Sequence, residues 1–170
     1  MAEENKGAGV TFQKGDYVVY PSHGVGKLLG TEEHEICGTT LEFFVVEFDK
    51  DHMILKLPVK KACSAGLRHV CGIEEMDVAV ESLSSRIKKK KALWSRRAQE
   101  YESKINSGNI DRLAEVIREL YTCQATGEQS YSERQIFQTA FDRFVREMSI
   151  VKNIGEDEAS ALVQERLSVA

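Results

Sequence analysis

The segment DYVVYPSHGVGKLLG, residues 16–30, decides how the first part of the chain folds. Its YVVY run is β-branched and aromatic, which is typical of a β-strand. The PSHG that follows carries the proline and glycine of a turn, and VGKLL then resumes an extended pattern. The glycines do not fit the GxxxxGK[ST] phosphate loop, so we assign them to the turn.

Two further strands follow this hairpin. TLEFFVVEF (40–48) is rich in β-formers, DKD (49–51) turns the chain, and HMILKLP (52–58) runs back. Short antiparallel strands so close together in sequence predict a small, strongly bent sheet or barrel. Such a sheet has edges, and an edge can accept a strand from a partner.

From Gly72 onward the apolar residues take a helical spacing. Helices are predicted at 73–85, 92–106 and 110–123, after a Ser130–Glu133 capping box, and at about 156–167. The fold class is therefore α+β, with a sheet domain followed by an all-helical domain. The helical core is expected to contain Ile73, Met76, Val78, Val80, Leu83, Leu113, Val116, Ile117, Leu120, Phe137, Phe141, Phe144, Val145 and Met148.

The composition argues against several classes of protein. The chain is 42% hydrophobic and 29% charged, as soluble globular proteins are. It has no run near the roughly 18 apolar residues of a membrane helix, so we expect a cytoplasmic protein with no membrane partner. Its cysteines and histidines show no metal-ligand spacing and no oriented nucleophile–base motif. We therefore expect no cofactor and no enzyme activity. The acidic, glycine-bearing residues 1–10 are expected to be flexible.

The segment RIKKKKALWSRR (86–97) places seven basic residues around the single tryptophan, Trp94, of a chain with net charge -4. Trp94 fills a core position on one interpretation, and the lysines are a solvated linker. On the other, the cations hold DNA phosphates and the ring is a wedge between unstacked bases. Burying long cations beside a core tryptophan is costly, and the adjacent Leu93 can supply the core contact instead. These points favour the DNA interpretation.

Several motifs together resemble one family. FQKGDYVVYPSHGVGKL (12–28), LKLPV (55–59), GLRHVCG (66–72), LWSRRAQEYESKINSGN (93–109) and LAEVIRELY (113–121) are similar, in order and spacing, to the CarD/CdnL family of bacterial transcription regulators. The first motif is shared with the polymerase-interacting domain of transcription-repair coupling factor. The tryptophan-serine-arginine-arginine element is more specific to the stand-alone regulators.

The resemblance implies a Tudor-like antiparallel barrel at 11–66 that binds the β subunit of RNA polymerase. It further implies a helical domain at 67–170 that contacts promoter DNA at the upstream edge of the transcription bubble and stabilises the open complex. The DNA contact would be independent of sequence and located at the fork. We expect a monomer that is associated with the nucleoid through the polymerase.

The same resemblance assigns roles to individual residues. Trp94 is the wedge, Arg96 and Arg97 match a phosphate-contacting pair, and Lys88, Lys89, Lys90 and Lys91 have an auxiliary part. Polymerase contacts are expected from Lys56, Ile54, Leu55 and His34. Lys56 is alternatively only a solvent-facing charge. The alternative for the whole chain is a protein–protein adaptor that uses the sheet edge and has no role on DNA.

Overall fold

A computed structural model describes residues 5–7, 10–48, 52–85, 92–125, 127 and 129–169. The chain divides into a sheet unit, Met1–Val70, and a helical unit, Cys71–Ala170. None of the helices in these described ranges is both long and apolar enough to cross a membrane. The strands of the sheet unit are β1 (Asn5–Gly7), β2 (Val10–Phe12), β3 (Tyr17–Tyr20), β4 (Gly24–Ile36), β5 (Thr39–Phe48), β6 (Met53–Pro58) and β7 (Arg68–His69).

The main sheet has five antiparallel strands in the order β6-β5-β4-β3-β7. The antiparallel sheet followed by helices confirms the predicted fold class. The sheet is open and does not form the closed barrel that we expected, because β6 and β7 end it without pairing to each other. With only two residues, β7 offers a short edge, whereas β6 has six.

Two short elements lie at the ends of the sheet unit. Asn5–Gly7 pairs with Val10–Phe12 as a separate two-stranded sheet, and the flexibility of residues 1–10 stays a prediction. Residues 67–70 were placed in the helical domain, but Arg68 and His69 pair with β3. Both elements are too short for a hydrophobic pattern to reveal them, and pairing with other strands creates them.

The core of the sheet unit lies on one face of the sheet. Phe44 and Val46 of β5 alternate toward it, as the two-residue period of a strand requires. Gly26 of β4 lies opposite them: a Cβ built on it would come within 2.7 Å of Val46 Cγ1 and 2.9 Å of the Phe48 ring. Because Gly26 has no side chain, Val46 and Phe48 of β5 can pack directly against the backbone of β4.

The helical unit contains α1 (Ile73–Ser82), α2 (Trp94–Asn106), α3 (Ile110–Ala125), α4 (Tyr131–Lys152) and α5 (Glu156–Ser168).

The core between these helices is mostly the predicted one. In α1, Met76, Val80 and the following Leu83 recur at helical spacing and are buried. Ile73 and Val78, however, are 61% and 64% exposed, so their assignment to the core was wrong. Val78 points about 160° away from Met76 and Val80 on a 3.6-residue turn, and Ile73 lies at the helix start, ahead of the first core contact.

We predict that Gly26→Ala destabilises the sheet unit by about 1 to 3 kcal/mol, because the added methyl group overpacks the contact with Val46 and Phe48. Hydrogen–deuterium exchange should show faster exchange in β3–β5 peptides and no change in α3 and α4. Lys14→Ala, at an exposed position, is the control and should stay within about 0.5 kcal/mol. Equal exchange in Gly26→Ala and wild type would contradict the packing argument.

Candidate functional site

The start of α2 places three of the residues singled out by the sequence. Leu93 is the N-cap, in extended conformation, and Trp94 is the first residue of the helix. The first turn contains no acidic residue, and Arg96 is exposed on it. Free N–H groups and the positive end of the helix dipole make such a terminus favourable for an anion. The lysines 88–91 that precede it lie outside the described residues.

Trp94 contacts the helical core and Leu93 is exposed, the reverse of the arrangement that the sequence predicted. Leu93 is 80% exposed, so the expectation that it supplies the core contact was wrong. Trp94 is instead half-buried and packs against the helical core, with its ring centroid 6.5 Å from that of Tyr101. Positions 94, 97 and 101 share one face of the helix, which is the inward face, whereas Leu93 precedes the first turn. The ring is therefore held by the domain and partly open to solvent.

Arg97 lies inside the helical unit and does not present its guanidinium group on an open face. Its side chain is only 10% exposed, and one nitrogen, Nη2, donates a hydrogen bond to the Tyr101 hydroxyl at 3.0 Å. The other, Nη1, lies 3.4 Å from Oε1 of Glu133. The guanidinium carbon is 5.7 Å from the Trp94 ring centroid and 5.6 Å from that of Tyr101. Arg97 is therefore the buried arginine of the pair and Arg96 the exposed one, and a phosphate contact by either stays a prediction.

Glu133 connects α2 with the beginning of α4. The predicted capping box is confirmed: Ser130 Oγ accepts from the Glu133 N–H, and Glu133 Oε2 accepts from the Ser130 N–H at 3.0 Å. Its other oxygen faces Arg97, and the residue is 7% exposed. The sequence indicated the cap but not the ion pair. One sequence signal could have indicated that Arg97 faces inward. Trp94, Arg97 and Tyr101 are spaced so that they lie on the same face of a helix.

Burial sets the ionisation of Tyr101 in this cluster. Desolvation raises the pKa of its hydroxyl to about 12, against the opposing effect of the hydrogen bond from Arg97. Tyr101 thus stays neutral at physiological pH and acts as an acceptor for Arg97. The cluster of Trp94, Arg97, Tyr101 and Glu133 combines aromatic packing, an ion pair and a helix cap in one place.

The outer face of the main sheet holds most of the residues predicted to contact polymerase. Ile54 and Lys56 are exposed on β6, and His34 is exposed on β4. Leu55 is different, since it packs against the core of the sheet unit together with Leu57. Successive strand residues face opposite sides, so the Leu55 side chain lies on the face opposite to Ile54 and Lys56, and its contact with polymerase stays a prediction. The alternation of Ile54 and Lys56 with Leu55 and Leu57 already carried this information.

Glu32 brings the two predicted basic contacts together. Its Oε2 lies 2.9 Å from Lys56 Nζ and 3.0 Å from His34 Nε2. The pKa of the Glu32 carboxyl is lowered, chiefly by the hydrogen bond from Lys56 and then by that from His34. Sequence analysis missed Glu32, because only the pairing of β4 with β5 and of β5 with β6 brings positions 32 and 56 together. All these groups are exposed, so the pairs contribute little to stability.

No group of three or more His, Cys, Asp or Glu side chains suited to a metal ion occurs in the part of the chain that the structure describes.

Comparison with known proteins assigns both units. Residues 12–71 match the model of the CarD-like/TRCF RID domain. Residues 78–164 match the model of the CarD C-terminal domain. The chain is also 27% identical over 145 residues to "Putative transcription factor YdeB" of Bacillus subtilis (strain 168), an alignment that covers 85% of this chain and 95% of that protein.

We predict that Lys56→Gln raises the pKa of Glu32 toward its ordinary value of 4.5, because the largest stabilising contact of the carboxylate is lost. In the wild type, the depressed pKa means that the pair contributes above about pH 4.5 and is lost as pH falls through the folded-state pKa. A carboxyl-carbon NMR titration measures the change. Lys60→Gln, exposed on the turn after β6, is the control. An unchanged Glu32 titration in Lys56→Gln would show that the ion pair does not persist in solution.

Proposed function

Because this chain belongs to the CarD family of transcription factors, we propose that it binds the β subunit of RNA polymerase and stabilises the open promoter complex by contacting DNA at the upstream edge of the bubble. The carrying observation is the combination of two matches in one chain: a polymerase-interacting type of domain at 12–71 and the CarD C-terminal domain at 78–164.

The sheet unit supplies the polymerase contact in this proposal. Its β6 strand ends the sheet, and no described strand occupies its outer side. Unpaired N–H and C=O groups on such an edge can extend a sheet of a partner. Ile54 is 56% exposed beside Lys56, so an apolar and a basic side chain flank the edge. The Lys56 ammonium lies 2.9 Å from Glu32 and remains exposed to an acidic or carbonyl acceptor.

The start of α2 supplies the DNA contact. Trp94 is half-buried, so one part of the ring is fixed by the core while the rest remains able to stack on an unpaired base or block reannealing. Arg96 is exposed in the first turn and is the phosphate ligand. Lysines 88–91 add positive charge immediately before this turn in the sequence. Exposed Leu93 extends the apolar surface next to the ring.

The mechanism is a shift in the promoter equilibrium. Contacts that exist only with melted DNA favour the open state by their differential free energy. A differential of about 1 to 3 kcal/mol changes the equilibrium roughly 5- to 150-fold. Few phosphate contacts give weak affinity alone, and docking of the sheet unit on polymerase raises the effective concentration of the helical unit at the promoter.

We predict that Trp94→Ala shortens open-complex lifetime at least about 5-fold relative to wild type, while binding to polymerase is kept. Competitor-challenged complexes of the cognate polymerase on a ribosomal RNA promoter provide the lifetime. Val78→Ala, another exposed apolar position of the helical unit, is the control. Circular dichroism of each variant reports loss of packing separately.

The outcomes separate the wedge from the alternatives. Equal loss of polymerase binding and lifetime in Trp94→Ala would reject the wedge. If wild type binds polymerase but does not change the lifetime, and its affinity shows no salt-dependent DNA contribution, the chain is a protein–protein adaptor.

We predict that Lys56→Glu weakens binding to a fragment of the β subunit about tenfold or more, because the substitution reverses the charge beside the β6 edge and places it against Glu32. Surface plasmon resonance at two salt concentrations measures the affinity. Lys60→Glu makes the same charge change on the exposed turn after β6 and should bind as wild type does. Unchanged affinity in Lys56→Glu would remove this residue from the interface.

A further inference from the structure

Resting on the proposed function, we propose that Arg97 is a positioning residue that holds Trp94 through its buried ion pair with Glu133, and that it does not bind phosphate. The start of α4 thereby controls the orientation of the tryptophan at the start of α2. This inference concerns a pair separated by 36 residues in sequence, one from each helix.

The geometry holds Arg97 through contacts with Tyr101, Glu133 and Trp94. Its two terminal nitrogens are directed at the Tyr101 hydroxyl and at Glu133 Oε1. Its guanidinium carbon also lies at cation–π distance from the rings of both Trp94 and Tyr101. Because the planar fork is pre-organised for its hydrogen bonds, a guanidinium with these partners is a well-ordered neighbour of the Trp94 ring.

Glu133 is itself held by the start of α4, so Arg97 is connected through it to that helix end. One carboxylate oxygen closes the capping box of α4 and the other meets Arg97. Because both groups of the ion pair are about nine-tenths buried, moving Arg97 out to a phosphate would leave the Glu133 charge buried without its cation. Arg96, one residue earlier, is exposed and needs no such movement.

The test uses Glu133→Gln, because glutamine keeps the capping box but removes the charge. If Arg97 positions Trp94, the ring becomes looser: acrylamide quenching of the single tryptophan increases, and open-complex lifetime falls about 5-fold, the low end of typical coupling. If Arg97 instead contacts phosphate, releasing it from Glu133 lengthens the lifetime. The two hypotheses therefore predict opposite signs for one substitution.

Two further variants guard against a purely structural effect. Ser130→Ala removes the cap hydroxyl and leaves the Arg97–Glu133 pair, so it should cost helix stability without changing the quenching of Trp94. The double variant Arg97→Met, Glu133→Gln removes both charges of the pair. It should therefore fold even if a single variant, which leaves one buried charge unpaired, does not. The double variant should still show increased quenching and a shorter lifetime, and wild-type values for both would overturn the proposal.

Salt dependence gives an independent readout. Each lost phosphate contact lowers the slope of log affinity against log salt by about 1. Arg96→Ala should lower the slope for fork-junction DNA in the polymerase complex, whereas Arg97→Lys should leave the slope unchanged and increase quenching in the free protein. A lower slope in Arg97→Lys would overturn the proposal. Quenching in the free protein does not depend on DNA, so it tests the positioning role even if Trp94→Ala leaves the lifetime unchanged and the proposed function fails.

Discussion

The buried ion pair between Arg97 and Glu133 is the constraint on which the candidate DNA surface depends. It connects the first turn of α2 with the first turn of α4 and places a cation within about 6 Å of the ring centroids of both Trp94 and Tyr101. A pair in this setting is costly to form and more costly to break, because either partner alone would be an unpaired buried charge. Its contribution is geometric, since it ties the two helix ends together. In the proposed function, a tryptophan that acts at a defined point on DNA requires a fixed support of this kind.

This constraint also explains why a basic tryptophan motif is not a uniformly basic surface. Of the two consecutive arginines, one is buried and one is exposed, as their 100° separation on a helix permits. In the proposals above, the buried Arg97 supports the Trp94 ring and the exposed Arg96 binds a phosphate. A sequence pattern of adjacent like charges therefore conceals two different physical roles.

Sequence patterns predicted the elements well but not the contacts between elements. The YVVY strand, the Ser130–Glu133 cap and the α3 face followed from local propensity and spacing, which act within a few residues. Whether the sheet closes depends on its two edge strands meeting, which no local pattern shows. The spacing of Trp94, Arg97 and Tyr101 indicates the inward face of α2, but only the fold shows that Glu133, 36 residues away, is the partner of Arg97. Leu55 differs, since the period of the strand already placed it opposite Ile54 and Lys56.

The net charge of -4 bears on how the proposed DNA contact would be used. An acidic chain whose basic residues cluster in one short segment gains little from counterion release, so the proposed DNA contact would be weak on its own and independent of sequence. Tethering removes the entropic cost of finding the promoter, and the few contacts at α2 then suffice. Weak intrinsic affinity is an advantage here, because a stronger basic surface would hold the protein on bulk DNA away from polymerase. In the proposed function, this distribution of charge would make the DNA contact conditional on docking of the sheet unit.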